Sequence, residues 1–222
     1  MEKVSQAPAT AATEILKRDL FGTVSLAYGP DGPEVRRDTR SARWWTRWLA
    51  RRLARSEAMA LAAAAAVPDI PRLISWDGHV LVRSWMGGRP MHHARPQDPA
   101  YYRAALGLVR KLHSAGVVHN DLAKEPNWLV LPDGRPGLID FQLAWVPRRR
   151  GRLFRELGRE DLRHALKHKR WYCDEALSGR ERAILGRRGW PSRVWMATGK
   201  KVYLVVTRRL LGWADREGAG DR

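Results

Sequence analysis

The sequence predicts an α+β fold of two lobes: an antiparallel-sheet N-lobe over residues 14–86 and a mainly helical C-lobe over residues 87–213. Three observations predict it. Short runs of β-forming residues alternate with turn signals early in the chain, one long helical pattern interrupts them, and helical patterns dominate the rest. Residues 1–13 and 214–222 contain little that could be buried, so we expect a flexible tail at each end.

Composition sets the broad class of the protein. The chain of 222 residues is 44% hydrophobic, enough for one large domain or two small lobes. Its net charge of +18 favours polyanionic partners such as nucleic acid, anionic lipid, phosphorylated glycan or nucleotide, although charge alone identifies none of them. The single cysteine, Cys173, excludes an internal disulfide and fits a reducing cytoplasm. We find neither a secretory signal nor an apolar run long enough to span a bilayer, so we expect a cytoplasmic protein, soluble or peripheral to a membrane.

Three short segments at the start of the N-lobe are predicted to pair as antiparallel strands, because β-forming residues fill them and turns separate them. The first turn, residues 18–22, contains one glycine, Gly22. The second turn, residues 28–33, is rich in glycine and proline. The predicted strands span residues 14–17, 23–27 and 34–38.

A long helix is predicted over residues 41–67, where Pro68 ends it. Glu57 is its only acid, and the neighbours of Glu57 at helical spacing are apolar, so this carboxylate needs a basic partner. The alternative is a surface glutamate that offsets nearby arginines. Those arginines recur at every fourth position, which favours a solvated face and leaves a membrane or glycan contact open. They are Arg43, Arg47, Arg51 and Arg55.

Two more strands, residues 70–75 and 79–84, are predicted around a turn and would complete a five-stranded sheet. The segment that follows contains glycine and proline and breaks regular structure between the lobes. Asp98 can then cap a helix that has Pro99 at its first position. This helix leads into the most informative part of the chain.

Residues 113–142 bring polar side chains together around a predicted β-hairpin. Gly116 suits the end of the preceding helix. Asp121 and Asn127 come before the first hairpin strand, and Asp140 lies at the end of the second. Carboxylate and amide oxygens are hard ligands that hold Mg²⁺ and orient a hydroxyl for phosphoryl transfer. The alternative is an ordinary hairpin with polar turn residues. The hairpin strands span residues 129–131 and 137–141.

At these residues the chain resembles the protein-kinase-like superfamily. His119-Asn120-Asp121 is similar to the His-x-Asp catalytic loop, Asn127 to the metal-binding asparagine, and Ile139-Asp140-Phe141 to the metal-binding aspartate motif. The resemblance is closest to small atypical bacterial members: RIO-like kinases, sugar kinases of the lipopolysaccharide core and aminoglycoside phosphotransferases. Two positions depart from the pattern. Asn127 lies one residue further from Asp121 than usual, and Gln142 stands where protein kinases have glycine.

The resemblance implies a protein-kinase-like fold with a shortened C-lobe and an ATP-dependent phosphotransferase with Mg²⁺ as cofactor. In such an enzyme Asp121 would orient the acceptor hydroxyl. Asn127 and Asp140 would hold Mg²⁺. Lys124 would neutralise charge on the transferred phosphoryl group. His119 is grouped with these catalytic residues, where it would brace the loop rather than transfer protons.

The resemblance also implies a nucleotide site in the N-lobe. Glu57 would pair with the basic residue of the third strand, where Arg37 or Arg36 replaces the usual lysine. Two solvated edge-strand arginines are the alternative. The predicted phosphate turn has one glycine where a glycine-rich loop has three, and residues 82–85 are the candidate hinge for adenine. The nucleotide-binding candidates are therefore Arg37, Arg36, Glu57, Gly22, Ser84 and Trp85.

The expected acceptor is a hydroxyl of a lipopolysaccharide core sugar or another glycan or glycolipid, at an anionic surface of the inner membrane. No Ala-Pro-Glu sequence follows Asp140, while the basic loop at residues 147–152 and the Trp-containing stretch at residues 190–213 suit an anionic interface. A RIO-like serine/threonine kinase is the alternative. A pseudokinase scaffold is another, because the glycine loop and lysine are lacking. Specific nucleic-acid binding is not expected, since only charge favours it.

Overall fold

A five-stranded antiparallel sheet forms the N-lobe. The structure is a computed structural model that describes residues 13–186. The strands are β1 (Glu14–Asp19), β2 (Gly22–Gly29), β3 (Gly32–Asp38), β4 (Leu73–Trp76) and β5 (Val80–Ser84). Their order is β1-β2-β3-β5-β4. The predicted five-stranded sheet is therefore present, because each turn signal closes a local hairpin and only β3–β5 is a longer-range pairing.

Helix α1 (Arg47–Ala63) connects the third and fourth strands. Its buried face consists mostly of alanines, which let the helix approach the sheet closely. The helix begins at Arg47 rather than at Ser41, so the predicted start was wrong. The carbonyl oxygen of Leu20, in the β1–β2 turn, accepts hydrogen bonds from the N–H of Arg43 and the hydroxyl of Thr46. These bonds hold residues 41–46 against the turn and keep them out of the helix.

Helices and short strands make up the described part of the C-lobe. Asp98 caps the helix that begins at Pro99, as predicted, since its Oδ1 accepts a hydrogen bond from the N–H of Ala100 at 2.7 Å. Short 3-10 turns at Glu125–Asn127 and Phe141–Leu143 flank the hairpin formed by Trp128–Val130 and Pro136–Leu138. The elements are β6 (Arg89–Pro90), α2 (Met91–Ala94), α3 (Pro99–Ser114), β7 (Trp128–Val130), β8 (Pro136–Leu138), α4 (Arg152–Tyr172) and α5 (Gly179–Gly186).

The main hydrophobic core lies in the C-lobe and reaches α1 of the N-lobe. Leu61 of α1 belongs to the same buried cluster as Leu112 of α3, Trp128 of β7 and Phe141. A hydrogen bond of 2.6 Å from the hydroxyl of Ser56 to the carbonyl oxygen of Ala144 also joins α1 to the C-lobe. Helix α1 thus connects the sheet to the segment that follows Asp140.

Several predictions concern residues outside the described part of the chain. These are the two flexible tails, apart from residue 13, and the Trp-containing stretch at residues 190–213. The lobe limits at residues 86 and 213 remain predictions. Within residues 13–186, no helix is long and apolar enough to cross a membrane.

Candidate active site

Asp121 and Asn127 contact each other in the loop before β7. Nδ2 of Asn127 donates to Oδ2 of Asp121 at 3.0 Å and to the main-chain oxygen of Asp121 at 2.9 Å. Because the amide group of Asn127 is turned towards Asp121, its Oδ1 atom remains for another ligand. Nζ of Lys124 lies 3.0 Å from Oδ2 of Asp121, and the Lys124 side chain is 60% exposed. The structure therefore brings these three predicted residues together.

Asp140 joins this group through the backbone. The N–H of Ile139 donates to the main-chain oxygen of Asn127 at 3.0 Å, so Asp140 follows directly beside the loop. Nε2 of Gln142 donates to Oδ1 of Asp140 at 2.6 Å. Asp140 has φ 65° and Asn120 has φ 64°, in the left-handed region that Asp and Asn tolerate better than most residues other than glycine.

Asp161 on α4 has a buried carboxylate that holds the loop at residues 119–121 in place through hydrogen bonds. Its oxygens accept the N–H groups of His119 at 2.8 Å and of Asn120 at 3.0 Å. Nε2 of His113, at the end of α3, lies 3.1 Å from the same carboxylate. Asp161 is only 2% exposed, so these bonds are shielded from water. Sequence reasoning missed this residue, although it fixes the backbone on which Asp121 stands.

The ring of His119 braces the loop from inside the protein and does not reach the surface. The side chain is fully buried, and its Nε2 donates to the carbonyl oxygen of Ile139 at 3.1 Å. The ring packs against Phe141 with centroids 4.6 Å apart. No substrate can contact this side chain in the present conformation. Its grouping with the catalytic residues is therefore corrected, while the bracing role fits the geometry.

A second set of bonds fixes the loop just after Asp121. The carbonyl oxygen of Leu122 accepts Nε1 of Trp128 at 3.0 Å and Nε2 of His168 at 2.8 Å. Leu122 and Trp128 are both fully buried. The loop is thus attached to β7 as well as to α4, which limits the positions that the Asp121 side chain can take.

In the N-lobe, Glu57 forms ion pairs with two arginines from neighbouring strands. Its Oε1 lies 3.0 Å from Nε of Arg83 on β5, and its Oε2 lies 3.6 Å from Nε of Arg37 on β3. Glu57 is fully buried, and neither oxygen has an aligned hydrogen-bond donor. The structure does not bring Arg36 to this cluster. Arg36 lies on the opposite face of β3, where its NH2 group is 2.7 Å from Glu34.

Arg83 is the second residue that sequence reasoning missed. Burial is the main cause that lowers the pKa of its guanidinium below the ordinary value, and the nearby Arg37 adds to this effect. The negative charges of Glu57 and Asp140 oppose the shift. Arg83 therefore lies within electrostatic reach of both the helix glutamate and the aspartate of the C-lobe.

Gly22 is required by the geometry of the β1–β2 turn. Its φ is 123°, and a Cβ at this position would lie 2.2 Å from the main-chain oxygen of Asp38. Leu20 and Phe21 are the only residues between the paired positions Asp19 and Gly22. The turn is therefore short, and its tip is held by the segment before α1 through Leu20. Any contact of Gly22 with a phosphate remains a prediction.

The two predicted hinge residues have their N–H groups occupied within the sheet. The N–H of Ser84 donates to the carbonyl oxygen of Arg72 at 2.9 Å, and that of Trp85 donates to Pro33 at 2.9 Å. The hydroxyl of Ser84 also accepts the N–H of Arg72 at 2.9 Å. A nucleotide base could not use either N–H in this conformation. Contact of these residues with adenine through their other backbone groups remains a prediction.

A cleft lies between the loop that follows Asp121 and helix α4. Burial is the main cause that lowers the pKa of His164 in this cleft to about 4, and the positive charge of Lys167 adds to it. His164 is therefore neutral at pH 7. Trp171 is 61% exposed. The lining includes Ala123 and Glu125 from the loop and His164, Lys167, Arg170 and Trp171 from α4.

Comparison with known proteins gives one family and one fold. The sequence profile of the RIO domain matches residues 31–154, more than half of the chain. Among solved structures, the crystal structure of the Rio2 kinase from Chaetomium thermophilum matches with a TM-score of 0.55 at 18% identity. That match covers 72% of this chain and 58% of the other. The predicted protein-kinase-like α+β fold is confirmed.

Among curated proteins, the dual specificity protein kinase Ttk of Danio rerio is 40% identical over 68 residues. This match covers 30% of the chain and only 6% of the length of Ttk. It is a local similarity to a protein kinase.

Proposed function

Because the chain belongs to the RIO domain family, whose members have a protein-kinase-like fold, we propose that it is a Mg²⁺- and ATP-dependent phosphotransferase acting on a hydroxyl group. The observation that carries the proposal is the contact network at the loop. The side chain of Asn127 donates a hydrogen bond to the carboxylate of Asp121. The main-chain oxygen of Asn127 accepts a hydrogen bond from the N–H of Ile139, the residue before Asp140. A base and two metal ligands are thus available within one braced unit.

Asp121 is proposed to orient the acceptor hydroxyl and to accept its proton as the new O–P bond forms, while the bond between the γ-phosphorus and the β–γ bridging oxygen of ATP breaks and ADP leaves. Its carboxylate is largely shielded and contacts the buried amide group of Asn127 and the exposed ammonium group of Lys124. Lys124 is exposed, so it can leave the carboxylate and approach the charge that develops on the transferred phosphoryl group. Asp161 contributes indirectly, because it fixes the backbone of the preceding residues.

The donor set fits Mg²⁺, which prefers oxygen ligands and is usually held by one or two protein carboxylates or amides together with phosphates. Oδ1 of Asn127 and the carboxylate of Asp140 would hold the ion. Gln142 donates to one oxygen of Asp140 and thereby restricts the orientation of that carboxylate. The metal would neutralise charge on the phosphates of ATP during the transfer.

Arg37 is proposed to contact the phosphates of ATP, and Arg83 to hold Glu57. Arg83 makes the shorter contact with Glu57, at 3.0 Å, while Arg37 lies at 3.6 Å. A carboxylate already neutralised by Arg83 leaves Arg37 freer to turn towards an anionic ligand. This division would explain how an arginine serves where kinases use a lysine, since the buried glutamate keeps one permanent partner.

The proposed acceptor is a glycan or glycolipid, specifically a core sugar of lipopolysaccharide. Two observations support a small anionic acceptor over a protein. Helix α4 begins at Arg152, so only the short segment 141–151 separates it from Asp140 and offers little surface for a peptide. The neighbouring cleft combines an exposed indole, on which a sugar ring can stack, with Lys167 and Arg170 for anionic groups.

The experiment is transfer of labelled γ-phosphate from ATP to separate acceptor fractions: purified core glycolipid, polypeptide and small molecules. We expect Mg²⁺-dependent label in the glycolipid and none with Asp121→Asn. Label in polypeptide alone would replace the glycan proposal by a RIO-like serine/threonine kinase. No transfer to any fraction, together with no ATP binding, would favour the scaffold alternative.

A further inference from the structure

The outer face of α1 and the segment before it expose three tryptophans close together. Trp44 is 83% exposed, Trp48 67% and Trp45 42%. The opposite face of the helix is buried and consists mainly of alanine, so the helix is already packed on its other side. Exposed tryptophans are unusual in a soluble domain, and a group of them marks an interaction site.

The same face is strongly cationic. All of its arginines are exposed, and the only acid among residues 41–63 is Glu57, which is fully buried. No carboxylate of this segment therefore offsets the charge at the surface. The Trp/Arg surface consists of Trp44, Trp45 and Trp48 with Arg43, Arg47, Arg51, Arg52 and Arg55.

We propose that the Trp/Arg surface docks on an anionic lipid bilayer. Tryptophan rings favour the boundary between headgroups and acyl chains, and arginines are attracted to anionic headgroups. The tryptophans therefore suit the boundary between headgroups and acyl chains, and the arginines suit the anionic headgroups above it. Single-stranded nucleic acid also stacks on aromatic rings, but it is usually held in a charged groove. This surface is instead the outer face of α1 together with the segment before it.

The surface adjoins the β1–β2 turn, which is the predicted phosphate turn. The N–H of Arg43, which belongs to the surface, donates to the carbonyl oxygen of Leu20 at 3.3 Å. Leu20 forms the β1–β2 turn. A bilayer bound at the Trp/Arg surface would therefore lie next to this turn, which would place the proposed active site near a membrane. The docking itself does not depend on phosphotransfer.

The test is sedimentation of the full chain with vesicles of phosphatidylcholine, with or without phosphatidylglycerol, at low and high salt. We expect binding only to the anionic vesicles, weakened by salt. The double variant Trp44→Ala/Trp48→Ala should lose at least about tenfold in affinity, because two exposed rings no longer enter the interface. The control is Tyr28→Ala, which removes a 61% exposed aromatic ring from β2 and should bind like the wild type.

A second pair of variants tests the charge. Arg51→Gln/Arg52→Gln should lose about 25-fold at low salt, which corresponds to about 2 kcal/mol for two cations at 1.4 kcal/mol per tenfold. Arg103→Gln/Arg110→Gln on α3 removes two exposed arginines elsewhere and should bind like the wild type. Unchanged melting temperatures would show that all variants are folded.

Three outcomes overturn the proposal. The wild-type protein could stay in the supernatant with anionic vesicles at low salt. Both double variants could bind as the wild type does. The protein could retain labelled single-stranded RNA through the same tryptophans while ignoring vesicles. Vesicle binding by Asp140→Asn should equal that of the wild type, so failure of the phosphotransfer proposal would not imitate failure of this one.

Discussion

Replacing Asp161 by asparagine should damage both stability and turnover, because this one carboxylate holds the loop that carries Asp121. It accepts two main-chain N–H groups at 2.8 and 3.0 Å and is 2% exposed. Each hydrogen bond to a charged group contributes about 1.5–3 kcal/mol. The amide of an asparagine can accept one N–H but turns its own NH2 group towards the other. We therefore expect a loss of about 2–4 kcal/mol in the free energy of unfolding.

Urea denaturation measures this loss, and the melting temperature should fall by about 5–15 °C. Displacement of the loop should lower kcat for Mg²⁺-dependent ATP turnover by about tenfold to a hundredfold and leave the KM for ATP nearly unchanged. Glu156→Gln makes the same chemical change on the surface of α4 and should cost less than about 1 kcal/mol. Equal effects of the two variants would refute the bracing role.

Three further predictions concern the fold and the nucleotide side. Glu57→Gln removes the anion from two arginines whose side chains are only 18% and 12% exposed, so urea denaturation should show a loss of about 3–5 kcal/mol, with a raised KM for ATP; unchanged stability would contradict the ion-pair cluster. Gly22→Ala should destabilise by at least about 2 kcal/mol because its Cβ meets a carbonyl oxygen, whereas Gly134→Ala, with a positive φ but open space around it, should cost about 1 kcal/mol. Folding lowers the pKa of His164 to about 4, so the unfolded chain becomes protonated at a higher pH than the folded chain as the pH falls. The free energy of unfolding should therefore drop by about 1–2 kcal/mol between pH 7 and pH 5. Denaturation of His164→Asn at both pH values should show a smaller drop.

The sheet and the hairpin were predictable because their determinants are local. Glycine- and proline-rich turns separate the strands, so neighbouring segments pair as hairpins. The approximate positions of all five strands of the sheet follow from these signals. The proximity of Asp121, Asn127 and Asp140 was also predictable, because their order around the hairpin is a local pattern.

The supporting residues could not be found in this way, because their partners are distant in sequence. Arg83 lies in an otherwise ordinary strand and becomes informative only when β5 faces Glu57 of α1. Asp161 lies in an arginine-rich helix beside Glu160, and neither acid stands out by composition. A helical periodicity through the buried positions Phe154, Gly158 and Asp161 was a usable signal for its burial.

The start of α1 shows a different limit of local reasoning. Residues 41–46 contain no helix breaker and include the strong helix formers Ala42 and Arg43, yet two hydrogen bonds to Leu20 hold them outside the helix. Tertiary contacts thus overrode intrinsic propensity, which is weak at each position. The same contacts determine where the exposed tryptophans lie.

Thermal shift with ATP in the presence and absence of Mg²⁺, for the wild type and Asp140→Asn, tests the central claim most directly. At a hundredfold excess over its Kd, a ligand of the native state adds about 2.7 kcal/mol of stability. That gain corresponds to about 5–10 °C in melting temperature. We predict this shift for the wild type only with Mg²⁺ and its loss in Asp140→Asn, which keeps the size of the side chain but removes the charge. An equal Mg²⁺-dependent shift in both proteins, or none in the wild type, would contradict the proposed metal-nucleotide site.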